Sequence, residues 1–260
     1  MNNPPRILVL GTGGTIAGAG SGATGAAYRP GGLALETLIA HLDALGLAAQ
    51  LVPQDVARIG SQDIGWAEWQ ALHGACTRAL ADPAVDAIII THGTDTAEET
   101  GLLLDLTLPT PKPVVLVGAM RPADAVGADG MRNFANAVKV ASDPAAAGRG
   151  VMLVMGDAVL AARDARKAAT SAIDAFRSFP RGPLARVTPA SLDWFGPAHR
   201  AGEGARYAFP EGLPRVAILT AGAGMDEQPV AALLGIGCKG IVLAGMGQGN
   251  APASVLRALA

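Results

Sequence analysis

Short apolar runs alternate with amphipathic stretches along most of the chain. The run at 7–10 is too short for a helix and rich in branched residues, which predicts a buried parallel strand. Similar runs predict strands over 52–59, 84–90, 113–117 and 151–155. Between them, helical periodicity at 33–45 stops at Gly46, a glycine cap, and further helices are predicted over 66–80, 97–106 and 131–141. Such alternation means βαβ units and a mostly parallel sheet flanked by helices, an α/β fold. Glycine, proline and charge replace the pattern over 202–215, which reads as a linker. Beyond it come strands at 216–219 and 240–243 and helices at 229–234 and from Pro252. The expected division is an N-terminal catalytic domain over 1–201, the linker at 202–215, and a smaller, partial α/β domain over 216–260.

The polar clusters recur where strands end. In Gly11-Thr12-Gly13-Gly14-Thr15, Thr12 sits at the carboxyl end of the first strand, where open parallel sheets bind ligands and glycine lets a substrate approach the backbone. Glycine-rich turns after a first strand more often cradle phosphate. Here G-x-G-x-x-G fails at Ile16, and no Gly-Lys-Ser/Thr follows for a P-loop. The small, polar stretch 18–32 is a surface loop carrying Tyr28, either an aromatic pin or a hydroxyl on a lid. Ser61 could cap the helix that starts near 64–66. Thr91-His92-Gly93-Thr94-Asp95-Thr96 supplies more polar groups than one helix cap needs. Lys167, beside Arg163 and Arg166, reads first as a solvated surface lysine.

Composition removes several function classes. With 260 residues, half of them hydrophobic, the chain can bury one large core or one core plus a smaller lobe. Net charge is −2 and only 16% of residues are charged, so there is no basic field for nucleic acid or an anionic membrane. The longest apolar runs, such as 87–90 and 114–117, fall far short of the roughly 20 residues of a membrane span. Cys76 and Cys238 are distant thiols, and His41, His73, His92 and His199 show no ligand spacing, so no metal site is expected. The N-terminus shows no secretory pattern, which points to a cytoplasmic protein, or a periplasmic one if a signal has been removed.

Thr12-Gly13-Gly14-Thr15-Ile16-Ala17 and, about eighty residues on, His92-Gly93-Thr94-Asp95-Thr96 resemble the two signatures of the bacterial-type L-asparaginase and glutaminase-asparaginase family. Gly60-Ser61-Gln62-Asp63, Gly118-Ala119-Met120-Arg121-Pro122, Ala128-Asp129-Gly130 and Gly245-Met246-Gly247-Gln248-Gly249-Asn250 extend the match along the whole chain. The resemblance implies hydrolysis of the side-chain amide of asparagine, with glutamine a second substrate, through a threonine acyl-enzyme and without a cofactor. It implies Thr12 as nucleophile, Tyr28 as the loop tyrosine, and Thr94 with Lys167 as the second threonine and its lysine. Asp95, Ser61 and Gln62 would hold the α-amino and α-carboxylate groups, with Gly11 and Ala119 also on the substrate and Asn250 reaching in from a neighbouring subunit. Family members are homotetramers built from intimate dimers.

The residue types suit that chemistry. A threonine hydroxyl needs a base, which a lysine beside Thr94 can supply, and backbone N–H groups around the glycines can hold an oxyanion, typically ~3–4 kcal/mol per donor. The loop Ala26-Ala27-Tyr28-Arg29-Pro30-Gly31 is closer to the type II, periplasmic members than to the cytoplasmic ones. The family continues past the position of Ala260 with a segment that brings a glutamate to the adjacent site. The expectation is therefore a C-terminally truncated chain, and the alternative to an enzyme is an inactive homologue serving only in binding or assembly. A dinucleotide-binding domain is the remaining competitor, weakened by the missing G-x-G-x-x-G.

Overall fold

The computed structural model describes residues 3–20, 28–29, 31–32, 34–43, 48–198 and 205–260, with the side chains of 19, 20, 28, 29 and 41–43 excepted. In chain order, β1 (Arg6–Gly13) is followed by a short hairpin of β2 (Ala19–Gly20) and β3 (Tyr28–Arg29), then by α1 (Leu35–Asp43) and β4 (Gln50–Ile59). Next come α2 (Trp66–Ala81), β5 (Ala87–Thr91), α3 (Ala97–Thr107), β6 (Val114–Val117), α4 (Gly130–Ala141) and β7 (Val151–Met155). Five short strands then follow: β8 (Ala158–Ala161), β9 (Ala165–Lys167), β10 (Phe176–Ser178), β11 (Ala185–Val187) and β12 (Leu192–Trp194).

Eight strands form one sheet in the order β12-β11-β8-β7-β6-β5-β1-β4. The five from β7 to β4 are parallel, whereas β8, β11 and β12 add an antiparallel edge that the apolar pattern did not announce. β5, β6 and β7 are buried along their whole length, so their near-continuous apolar runs are what a sheet covered on both faces requires. Alternate residues divide between two cores. Ile7, Val9, Ile89, Val115 and Val154 pack with Leu38 of α1 and Phe134 and Val138 of α4. Leu10, Ile88, Ile90, Leu116 and Leu153 pack on the other face with Leu72 and Cys76 of α2 and Leu104 of α3. Each fully buried large aliphatic contributes about 1.5–3 kcal/mol, so helices docked on both faces fix where the strands end.

The order β4-β1-β5-β6-β7 has a consequence for function. The chain leaves β1 for β4 on one side and then crosses to β5 on the other, so the strand order reverses around β1. At such a reversal the loops leaving adjacent strands diverge and open a crevice at the carboxyl ends.

The chain divides into two compact units, Met1–Ala208 and Phe209–Ala260. In the second unit, β13 (Val216–Thr220) and β14 (Gly240–Ala244) pair in parallel, with α5 (Gln228–Gly235) between them and α6 (Ala253–Leu259) after. Val230 and Val255 are buried in it, while Val216, Ile218 and Val242 are exposed. Cys238 is half-buried.

Candidate active site

Loops leaving β1, β4, β5 and β6 meet at a small polar cavity of about 110 Å³, lined by Gly14, Thr15, Gly60, Ser61, Gln62, Gly93, Thr94, Asp95, Met120, Lys167 and Thr170. Pockets for drug-sized ligands run to roughly 300–1,000 Å³, so this one suits a small polar molecule. A larger cavity of about 480 Å³ lies against Met155, Ile173, Phe176 and Phe195, but two of its arginines, Arg132 and Arg177, are already paired with Asp157 and Asp174. It gathers no hydroxyl–lysine pair, so the chemistry belongs to the smaller cavity.

The β1 loop reaches the cavity by a sharp reversal. Gly13 and Gly14 have φ of 98° and 78°, and a Cβ on Gly14 would stand 2.4 Å from the Gly93 nitrogen. Only glycine permits both the left-handed backbone and that approach. The reversal decides which threonine faces the cavity. Thr12, expected as the nucleophile, is still in β1, 3% exposed, and its hydroxyl donates to the Thr91 carbonyl at 2.9 Å. It does not line the cavity. Thr15, three residues on and first in a 3-10 turn (Thr15–Ala17), does. Gly11 lies back in the strand against Asp55 and Leu35, and Ala119 is buried in the α4-side core, so neither belongs to the lining.

The β4 loop supplies Ser61 and Gln62 from a 3-10 turn (Ser61–Asp63). Ser61 caps no helix. The α2 N-terminus is held instead by Gly65, whose N–H donates to the Glu68 carboxylate at 2.9 Å. Ser61 Oγ accepts the Asp95 N–H at 3.2 Å, and its carbonyl accepts the Thr96 hydroxyl at 2.8 Å, so the β4 and β5 loops are stitched together. Gln62 donates to Asp63 at 3.2 Å.

Lys167, at the end of β9, is not a solvated lysine. Its side chain is 17% exposed, and Nζ donates to Thr94 Oγ1 at 2.9 Å and to Asp95 Oδ1 at 2.5 Å. Its backbone N–H donates to Glu98 in the first turn of α3 at 2.7 Å, which seats the lysine over the β5 loop. Asp95 keeps 60% of its side chain exposed, leaving carboxylate surface for a cation. His92, fully buried, donates Nδ1–H to the Gly93 carbonyl at 2.7 Å, and burial pulls its pKa down to about 4. The Gly14 N–H, a candidate oxyanion donor, is already given to the Ile59 carbonyl at 3.0 Å.

Expectations from sequence thus divide. The structure brings Ser61, Gln62, Thr94, Asp95 and Lys167 to one cavity. The Tyr28 backbone is in β3, but its side chain lies outside the described residues. Asn250 is in the second unit, where its carbonyl and N–H both bond Met246. Thr15, Met120 and Thr170 are lining residues that sequence reasoning missed. Thr15 carried a signal as the second hydroxyl of the first motif, and Met120 lay in the Gly118-Ala119-Met120-Arg121-Pro122 match, whereas Thr170 stood in neither.

The asparaginase N-terminal family model matches residues 6–200, and the glutaminase/asparaginase C-terminal domain model matches residues 215–260. The chain belongs to the asparaginase family. A Haemophilus influenzae relative named "Probable L-asparaginase periplasmic" is 40% identical over 97% of this chain and 72% of its own length. "L-asparaginase 2" of Escherichia coli K12 is 40% identical over 98% of this chain and 74% of its own. The crystal structure of a "Probable Cytoplasmic L-asparaginase" from Campylobacter jejuni superposes with a TM-score of 0.91 at 35% identity, covering 98% of this chain and 79% of that one. Relatives of both compartments are therefore similar to this asparaginase-family chain, and none of its described helices is long and apolar enough to cross a membrane.

Proposed function

We propose that the chain hydrolyses the side-chain amide of L-asparagine to L-aspartate and ammonia, with Thr15 as nucleophile. The observation that carries this reading is the Lys167–Thr94 hydrogen bond of 2.9 Å in the cavity that Thr15 also lines. A neutral hydroxyl attacks an amide only if its proton is taken up, and the Thr94–Lys167 pair is the acid–base system at hand. Thr15 Oγ adds to the carboxamide carbon while its proton passes through this pair to the leaving nitrogen. The C–N bond breaks, ammonia departs, and an aspartyl ester remains on Thr15. Water then adds to the ester carbon, releasing L-aspartate and restoring the hydroxyl.

Asp95 provides the negative charge for the substrate's α-ammonium, and Ser61 and Gln62 the polar groups for its α-carboxylate. This selects amino-acid amides over simple amides, because a substrate lacking either charge forfeits a charge-assisted contact. The small cavity favours asparagine over the longer glutamine. Asn250 acts at the site of a neighbouring subunit in a homotetramer. Ammonia release from asparagine and glutamine side by side, with native mass measurement of the same sample, tests the reading. Faster release from asparagine by a tetramer is expected, and no release from either amide overturns it.

A further inference from the structure

Arg149 sits between Gly148 and Gly150, whose φ of 70° and 76° turn the chain sharply ahead of β7, and it is only 5% exposed. Two contacts fix its guanidinium. Cζ lies over the Trp194 ring of β12, 3.9 Å from the centroid, and Nε donates to the Ala145 carbonyl at 2.6 Å. Nη1 and Nη2 bond nothing among the described residues. An arginine this deeply buried ordinarily has its donors paired. The carboxylate that bears on it, Asp143, already accepts the Ala145 N–H at 2.8 Å and the Trp194 Nε1–H at 3.2 Å. Burial pulls the Arg149 pKa below its ordinary value, with the Asp143 charge opposing.

These two nitrogens are not sealed in by protein. Arg149 lines a cavity of about 440 Å³ together with Asp164, Arg181, Pro183, Leu184 and Phe195. Arg181 is held by Asp164, its Nε and Nη2 each donating to one carboxylate oxygen at 2.6 Å. Two guanidiniums against one carboxylate leave a single positive charge in the wall, and Pro183, Leu184 and Phe195 set apolar surface beside it. We propose that this cavity binds a small organic monocarboxylate, with its carboxylate on Nη1 and Nη2 of Arg149 and its apolar body against Leu184 and Phe195. A guanidinium fork matches a carboxylate in two parallel hydrogen bonds. Trp194 and Ala145 hold that fork in place before a ligand arrives, so binding orders little. The volume falls in the range of roughly 300–1,000 Å³ that suits small molecules. A phosphate dianion would bring one charge too many, and a neutral molecule would leave the fork without an anion. No residue of the active-site cavity lines this one, so the inference stands apart from the asparagine-hydrolysing reading.

The test titrates the intact protein with benzoate, and with benzamide and sulfate for comparison, following the Trp194 indole N–H by NMR. That signal belongs to the ring on which Arg149 rests, and with three tryptophans in the chain it is assigned through Trp194→Phe. Benzoate should shift it saturably and bind about tenfold or more tightly than benzamide or sulfate. Arg149→Lys keeps the charge but removes the fork, and should weaken benzoate about tenfold or more. Phe195→Asp, at a position 61% exposed, sets a negative charge in the cavity wall and should weaken it similarly. Val126→Asp, 76% exposed and outside the lining, is the control and should bind as wild type does. No saturable shift up to about 10 mM benzoate, well above a millimolar Kd, overturns the proposal. Equal affinity for benzamide or sulfate overturns it as well. So does undiminished binding in Phe195→Asp, a result that holds even if Arg149→Lys fails to fold.

Discussion

Lys167 Nζ donates to Thr94 Oγ1 at 2.9 Å although 73 residues separate the two in the chain. Removing that donor by Lys167→Met should lower turnover on the order of 10²-fold or more, the usual cost of losing an acid–base group. Arg166, whose guanidinium donates to the Ala165 carbonyl beside it, should tolerate alanine with little loss. Steady-state kinetics on both variants check this, and equal, small losses would show Lys167 to be a structural ion pair.

Asp95 bonds Lys167 through one oxygen and remains largely exposed. Asp95→Asn should raise KM for asparagine about tenfold or more, since it removes a charge-assisted contact to the α-ammonium. The analogue lacking the α-amino group should suffer no additional loss in the variant. Equal losses for both compounds would place Asp95 elsewhere than on the α-ammonium.

Gly14 is a fold-and-site residue at once. Gly14→Ala combines a left-handed backbone, costing about 1–3 kcal/mol, with a Cβ 2.4 Å from Gly93. The β1 and β5 loops must then part, so thermal stability and activity should fall together. Gly182→Ala, with a φ of 81° but nothing within 4 Å, should cost about 1–2 kcal/mol and leave activity intact. Thermal melts with parallel assays separate the two.

Burial holds the His92 pKa near 4, below its ordinary value of 6.5. Between these values the unfolded chain binds a proton that the folded chain does not, so this contribution to stability is complete above about pH 6.5 and shrinks as pH falls toward 4. The loss amounts to about 3 kcal/mol. Urea unfolding at pH 7 and pH 4.5 should show it, and His92→Gln should flatten the dependence. An identical pH dependence in the variant would assign the acid sensitivity to other groups.

The parallel core was legible because Ile88, Ile90, Leu116 and their neighbours are buried on both faces and leave uninterrupted apolar runs. The antiparallel edge was not, since β8, β11 and β12 are three or four residues long and carry too little pattern to register. Ser61, Asp95 and Lys167 were legible through a family resemblance, whereas their convergence depends on hydrogen bonds between distant loops. Thr12 and Thr15 are alike as letters. What separates them is the positive φ of Gly13 and Gly14, a backbone reversal that sequence spacing does not reveal. Asp129 entered only through the Ala128-Asp129-Gly130 match, because nothing local tells a helix cap from a carboxylate that faces a loop eight residues back.

The choice of nucleophile is tested most directly by ammonia release from L-asparagine in wild type, Thr15→Ala and Thr12→Ala, each confirmed to be folded. Thr12 Oγ1 serves the sheet by bonding the Thr91 carbonyl, so its loss should reduce stability by about 1 kcal/mol and leave most activity. Thr15→Ala should release no ammonia above background. Near-normal release by Thr15→Ala, or abolition by Thr12→Ala in a stable fold, would contradict the account.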